Sequence, residues 1–473
     1  MVKQIEEPSR ITPVMAETDV LVVGGGPAGL SASIAAAREG VDTMLVERYG
    51  CFGGNITQSL VGTIAWYRRA KTVGPGGMGL EFEHKAKEMG GSITRYNKDI
   101  TTTEMGNYLE RKGLLVEGEP TGEILNTEMF KFIADTMVKE ANIKPLLHCT
   151  VVDVIKEGKK LIGVITESKS GRQAIMAKRT IDATGDADLI HYAGAPYRKD
   201  PRSELQRVTL NFSCNGIDTK KLFPYYLKKV REKPGVFAFL RQARELFFID
   251  ELACLLEPID DINKGIEIPE EIKIESFWKN YAEAGEIYSF NGIHMEGRDC
   301  TDVWDLTQAE IEGRKRIIKA IKGLKRHTPG FENARLKHIG SSLGTRESRK
   351  IIGEYNLTEH DVKNQARFED SIGICPEFID GFGQVILPTT GRYFQVPYGI
   401  ILPKKVENLL VAGRCVAGDK ISHAATRQMV CCAITGQGAG VAAGVSIKDK
   451  VTCREVDIQK VQKALRNQGV RIE

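Results

Sequence analysis

Three glycines, Gly24, Gly26 and Gly29, stand in the spacing G-x-G-x-x-G, and an acid, Glu47, follows further on. These residue types at this spacing suit the pyrophosphate and ribose of a dinucleotide. Gly24 permits a tight strand-to-helix turn. Gly26 removes a side chain where a pyrophosphate meets the backbone. Gly29 lets helix and strand pack closely. Glu47 accepts hydrogen bonds from ribose hydroxyls, and its charge repels a 2′-phosphate, which argues against NADP. A second group can handle a proton or an anion: His423, Arg427, His294 and Tyr393 as proton carriers, and Arg346 and Arg349 as a carboxylate clamp. Each has a plainer reading. His423 also suits a helix cap or a core, and the two arginines suit ion pairs with Glu347 or Glu354. His294 and Arg298, in NGIHMEGRD, lie where the sequence constrains least.

The elements around the glycines fit the dinucleotide reading. Asp19–Val23 is a short apolar strand, an Ala-rich helix follows, and a second strand, Thr43–Val46, ends on Glu47. The exposed N–H groups and dipole of the helix N-terminus hold phosphates. A glycine turn that binds nothing needs neither Glu47 nor all three glycines. After Glu47, RYGCFGGNITQSLVG carries Gly50, Gly53, Gly54 and Gly62, a loop where backbone approaches a partner. Residues 63–125 read as an insertion with a helix from about Gly79 to Met89. A helix begins at Thr127 with capping chemistry. Three strands then alternate with the turns EGKK and SKSG, and the last ends on Thr184 and Gly185.

From Tyr197 to Pro388 long charged helices are predicted, at 220–232, 238–256 and 307–327, as a second domain. Its basic run GRKRIIKAIKGLKRH reads as a solvated helix face, with Ile317, Ile318, Ile321 and Leu324 as its apolar side, rather than a nucleic-acid patch. Glu407–Gly413 returns as a buried strand. The loop after it becomes a long small-residue helix starting near Ala425, whose Gly436, Gly438 and Gly440 allow tight packing. Val456–Asn467 closes the chain as an amphipathic helix. The expected division is 1–196, 197–388 and 389–473, with the first and last parts forming one nucleotide domain.

At 473 residues, 42% hydrophobic and 27% charged, the chain has the composition of a globular protein with a large core. A net charge of +4 is not that of a dedicated nucleic-acid binder. No apolar run is expected to span a membrane, and MVKQIEEPSR lacks the apolar core of a secretory signal. Ten cysteines without a C-x-x-C pair suggest reduced thiols and a cytoplasmic setting. No metal-ligand spacing occurs.

The segments DVLVVGGGPAGLSASIAAAREG, VERYGCFGGNIT, RTIDATGDADL, GTRESRKIIGEYNLTEHDV and VENLLVAGRCVAG together resemble the FAD-dependent oxidoreductases of the glutathione-reductase fold class. Within that class they are distantly similar to fumarate reductase and succinate dehydrogenase flavoproteins. The resemblance implies an α/β fold: a Rossmann-like FAD-binding domain with a three-stranded meander, plus an inserted α+β substrate domain. It implies FAD held by Gly24, Gly26, Pro27, Ala28, Gly29 and Glu47, and by Arg48, Gly53, Gly54, Asn55 and Thr57 in the following loop. Val151 and Val152 would meet the adenine through main-chain groups, Ala183, Thr184 and Gly185 would back the cofactor, and Arg414, Gly418, Asp419 and Gln428 would reach its ribityl and flavin end. Asn55 sits where covalently flavinylated relatives carry a histidine, which implies non-covalent FAD. Cys51 stands alone, so a dithiol relay is not expected. Relatives place a histidine after the Ile-Asp of FID, where this chain has Gly381.

The implied activity is hydride transfer between FAD and a small organic substrate, by His423, Arg427, Arg346 and His294. Without a second βαβ fingerprint, electrons pass to a diffusible acceptor, a protein partner, oxygen or a second substrate; an oligomer is possible. The alternatives are an electron-transfer subunit of a larger redox complex and a tRNA-modifying flavoprotein, which would need a more basic surface.

Overall fold

The structure, a computed structural model, describes residues 5–64, 72–96, 120–218, 221–222, 281–282, 286–382, 384–386 and 391–473. The predicted helices at 220–232 and 238–256 fall almost wholly outside these residues. The chain starts with β1 (Val14–Val23), α1 (Pro27–Arg38) and β2 (Thr43–Val46). After the loop come α2 (Met78–Glu88), β3 (Ser92–Tyr96), β4 (Pro120–Leu125) and α3 (Thr127–Glu140). Then follow β5 (Lys144–Leu146), β6 (Thr150–Glu157), β7 (Lys160–Ser168), β8 (Gly171–Asp182) and α4 (Asp188–Tyr192). Helix α3 begins at Thr127, as expected, and is capped by Asn126, whose side chain accepts from the N–H groups of Glu128 and Met129.

These strands form one sheet in the order β5-β2-β1-β8-β7-β6. The pairs β5–β2, β2–β1 and β1–β8 are parallel, as βαβ crossovers require, while β8–β7–β6 is the antiparallel meander. Strand β8 joins the two parts. Its first half pairs with β7 and its second half accepts a late parallel strand, Leu409–Val411. That pairing returns the C-terminal segment to the sheet along the edge of β8 opposite β1.

The middle of the chain contributes β9 (Tyr197–Arg198), β10 (Val208–Thr209), β11 (Phe212–Asn215), β12 (Tyr281–Ala282), β13 (Glu286–Phe290), β14 (His294–Met295), α5 (Val303–His327) and β15 (Arg335–Ile339). Strands β12-β13-β11-β15 make a second, antiparallel sheet, and α5 covers a separate apolar cluster running from Val208 to Leu343. On α5, Ile317, Ile321 and Leu324 are buried as expected, but Ile318 faces out, because it lies off their 3–4 residue stripe.

After β16 (Lys350–Ile351), α6 (Glu359–Lys363), β17 (Ser371–Pro376), β18 (Ile379–Gly381), β19 (Gln384–Ile386) and β20 (Tyr393–Pro397), the late strand is β21 (Leu409–Val411). Residues Ile351 to Leu402 pack into the larger core together with β1 and α1. The single predicted late helix is two helices, α7 (Lys420–Thr426) and α8 (Met429–Lys448), with Gln428 extended at the break (φ −62°, ψ 141°). The chain ends in α9 (Ile458–Asn467).

Helix α8 crosses α1 at backbone contact. A Cβ placed on Gly436 would lie 2.1 Å from the Ala28 carbonyl oxygen, and one on Gly440 2.1 Å from that of Ala32. Contrary to the sequence expectation, α8 is long and apolar enough to cross a membrane, but 94% of its apolar window is buried in the fold, where it acts as a core helix.

Candidate active site

A cavity of about 360 Å³ runs from the Gly24–Gly29 turn to the C-terminal helices. The three glycines play three separate roles. A Cβ on Gly24 would meet the Ala183 carbonyl oxygen at 2.5 Å, and one on Gly29 the Gly24 carbonyl oxygen at 1.7 Å. Those two positions therefore serve turn and packing. Gly26 differs: a Cβ there would meet only the Cα of Gly54, at 3.7 Å, so its open side faces the cavity. Pro27 and Ala28 carry the wall into the N-terminus of α1. An open backbone at a helix N-terminus has the shape and polarity that suit a pyrophosphate.

Glu47 ends β2 and is buried. One oxygen accepts from the Gly25 N–H at 2.6 Å and the other from the Tyr49 N–H at 3.0 Å, so the acid fixes the glycine turn while lining the cavity. Arg48, Gly54 and Asn55 continue the wall. Gly53 and Thr57 stand behind it: the Thr57 hydroxyl donates to the Phe52 carbonyl at 2.8 Å and ties the loop. Of Val151 and Val152, Val151 lines the cavity, beside Cys149 and Thr150. Ala183, Thr184 and Gly185 follow β8. Their loop is set by Asp182, a residue the sequence reading missed. Its carboxylate accepts from the Thr184 N–H and hydroxyl and from the Leu189 N–H.

At the other end, Gln428, Met429 and Val430 line the cavity, and no side chain caps α8. The helix N-terminus expected near Ala425 is therefore that of α8, at Gln428. Gly418 and Asp419 do not line the cavity. Asp419 caps α7 through the Ser422 N–H at 2.8 Å and accepts from Glu359 N–H at 2.7 Å, outside the cavity wall. Arg414 does line the cavity, and donates to Gly185 O at 2.8 Å and Asp186 Oδ1 at 2.6 Å.

The stretch GTRESRK is a loop anchored at almost every residue. Thr345 O accepts from Arg414, Glu347 binds Lys350 and the Gln206 N–H, Ser348 donates to Asp186, Arg349 pairs with Asp188, and Lys350 reaches Asp200. Glu347 and Lys350 are fully buried. Arg346 lines the cavity, together with Arg427, and its guanidinium meets His294. The expected Arg346–Arg349 clamp is thus divided, because Arg349 is committed to Asp188 at 2.8 Å. The alternative ion pairs fail too: Glu347 binds Lys350 and Glu354 binds Arg454.

Arg427 pairs with Asp380 at 3.0 Å. Burial acts to raise the Asp380 carboxyl, but Arg427 and Arg346 hold it below its ordinary range. Cys300, Asn291 and Phe378 complete this end. Burial raises the Cys300 thiol, which stays protonated. A histidine in place of Gly381 would have no room, since a Cβ there lies 2.8 Å from Gln206 Oε1 and 3.2 Å from Ala424 Cβ.

Neither predicted histidine lines the cavity. His423 is buried, with Nε2 3.1 Å from Arg346 O, and His294 Nε2 lies 3.2 Å from Arg346 Nη2. Arg298 bonds Glu312, and the Tyr393 ring lies under Arg367. Burial, with Lys350 and Arg427 nearby, holds His423 well below its ordinary pKa. It is neutral when folded and charged below about pH 6.5 when unfolded, so its share of stability is complete above that pH and is lost as pH falls. His423→Gln should flatten the fall in unfolding free energy below pH 6.5 by up to about 1.4 kcal/mol per pH unit. Denaturant titrations at several pH values measure that slope.

The sequence profile of the FAD dependent oxidoreductase family matches residues 19–465. The chain belongs to this family. FAD is its cofactor, and the open Gly26 cradle and the uncapped N-terminus of α8 suit the two ends of that group. Among curated relatives, the thiamine thiazole synthase of Methanococcus vannielii is 31% identical over 185 residues, 37% of this chain and 59% of that one. The NADH dehydrogenase of Bacillus subtilis is 28% identical over 165 residues, 33% and 30% of the two chains. The chain thus spans less than two thirds of the length of these relatives. A geranylgeranyl bacteriochlorophyll reductase-like protein from Thermoplasma acidophilum aligns over 96% of this chain and 83% of its own, at 15% identity and a TM-score of 0.45.

Proposed function

We propose that this FAD-dependent oxidoreductase transfers a hydride between its FAD and a small organic substrate bound beside Arg346, Arg427 and Asp380. The supporting observation is one continuous cavity. It begins at the Gly26 cradle and ends against those three charged side chains. FAD, held without a covalent bond, supplies hydride chemistry at its N5.

The chain's own residues do the rest. The α1 N-terminus and Gly26 receive the pyrophosphate, and Glu47 the ribose. The α8 N-terminus favours negative charge at the cavity's far end. Arg346 and Arg427 orient the substrate and balance charge that develops on it. The second apolar cluster closes this end through Asn291, Cys300 and Leu343. We assign residues 1–196 and 389–473 to cofactor binding, with Arg427 reaching the substrate, and the segment within 197–388 to substrate binding.

The test is anaerobic. Candidate substrates are added to the yellow protein, and loss of the oxidised flavin absorbance identifies an electron donor. Arg346→Lys and Arg427→Gln should keep FAD yet slow that bleaching about 100-fold. Bleaching at the wild-type rate in both variants removes these residues from the reaction.

A further inference from the structure

Arg346 is held at both ends by a histidine, and the two histidines come from different halves of the molecule. At its main chain, His423 of α7, in the larger core, places Nε2 3.1 Å from the Arg346 carbonyl oxygen. At its side chain, His294 of β14, in the second cluster, places Nε2 3.2 Å from Nη2. A carbonyl oxygen only accepts, so His423 Nε2 carries the proton. A guanidinium only donates, so His294 Nε2 is the bare nitrogen and its proton is on Nδ1. Both rings are buried, at 1% and 6% exposure, among cations that oppose a charged imidazole. His294 is itself fixed. Its carbonyl accepts from Arg316 Nη1 at 3.1 Å, and Arg316 is held by Glu312 one turn back on α5.

We propose that His423 and His294 are neutral histidines in opposite tautomers that together clamp Arg346, and that both are positioning residues rather than proton carriers. A free arginine side chain loses rotamer entropy when a ligand fixes it. The clamp removes that freedom before any substrate arrives. His294 also ties the side chain at the cavity wall to the second cluster, so a shift between the two clusters would move the guanidinium. The role in catalysis rests on the reading of this cavity as the reaction site; the tautomers do not.

The experiment uses the FAD-loaded protein labelled with 15N at histidine and arginine. Side-chain NMR should show His423 protonated at Nε2 only and His294 at Nδ1 only. The Arg346 guanidinium signal, assigned by its loss in Arg346→Lys, should be sharp and protected from exchange. His294→Phe and His423→Phe should speed that exchange at least tenfold. His294→Gln, which accepts through Oε1, and His423→Gln, which donates through Nε2–H, should stay within about twofold of wild type. An imidazolium, a proton on the other nitrogen of either ring, or unchanged exchange in both Phe variants would overturn the proposal. Failure of the bleaching experiment alone would remove the reaction and leave the clamp standing.

Discussion

Gly440→Ala should destabilise the protein by about 3 kcal/mol, although alanine is the better helix former by up to ~1 kcal/mol. The sign is decided by what the methyl meets. On Gly440 it would lie 2.1 Å from the Ala32 carbonyl oxygen and 2.9 Å from its carbon, and both are backbone atoms inside α1. They cannot rotate away, so α1 and α8 must part along a contact that is buried on both sides. Gly438 in the same helix provides the comparison. Its methyl would meet the Ile372 side chain, 2.5 Å from Cδ1 and 3.1 Å from Cβ, and a side chain gives way more readily than a backbone. Gly438→Ala should therefore cost no more than about 1 kcal/mol. Urea midpoints of the two variants against wild type measure the difference. Equal midpoints would mean that α8 does not rest on the α1 backbone.

That contrast marks how far the sequence could be read. The βαβ unit, the meander turns and the return of Leu409–Val411 were legible, because each depends on local periodicity or on glycine at a fixed offset. The three glycines of α8 were read as one packing feature. Which of them faces a backbone depends on how α8 crosses α1, and that is tertiary information. The break at Gln428 was missed because neither proline nor glycine marks it. Asp419 was misread for a related reason. An acid before a helix has the same local signature whether it caps the helix or meets a ligand, and here it caps α7. His294 and Arg346 are 52 residues apart, and nothing in their local sequence announces their contact. The Gly26 end of the cavity was thus legible from motifs, whereas the end at Arg346 and Arg427 is assembled from single residues on five or more segments.

Gly26→Val should give a protein that folds but does not keep FAD. The backbone at Gly26, φ −75° and ψ −173°, is open to any L-residue, so the substitution adds no strain. Its first carbon would meet only Gly54 Cα at 3.7 Å, so the native packing accepts it. The rest of the side chain enters the cavity where the pyrophosphate approaches the α1 N-terminus. An unrelieved clash there of about 3 kcal/mol weakens FAD binding by about 100-fold. Gly24→Ala should behave in the opposite way. At φ +100°, with its methyl 2.5 Å from the Ala183 carbonyl oxygen, it disturbs the turn itself, and the loss appears as instability of the chain with or without cofactor. Bound FAD per chain after desalting, read beside circular dichroism, separates the two. A Gly26→Val protein that stays yellow at one FAD per chain would show that the pyrophosphate does not lie over this turn. The assignment of the cavity's two ends would then have to be reversed or abandoned.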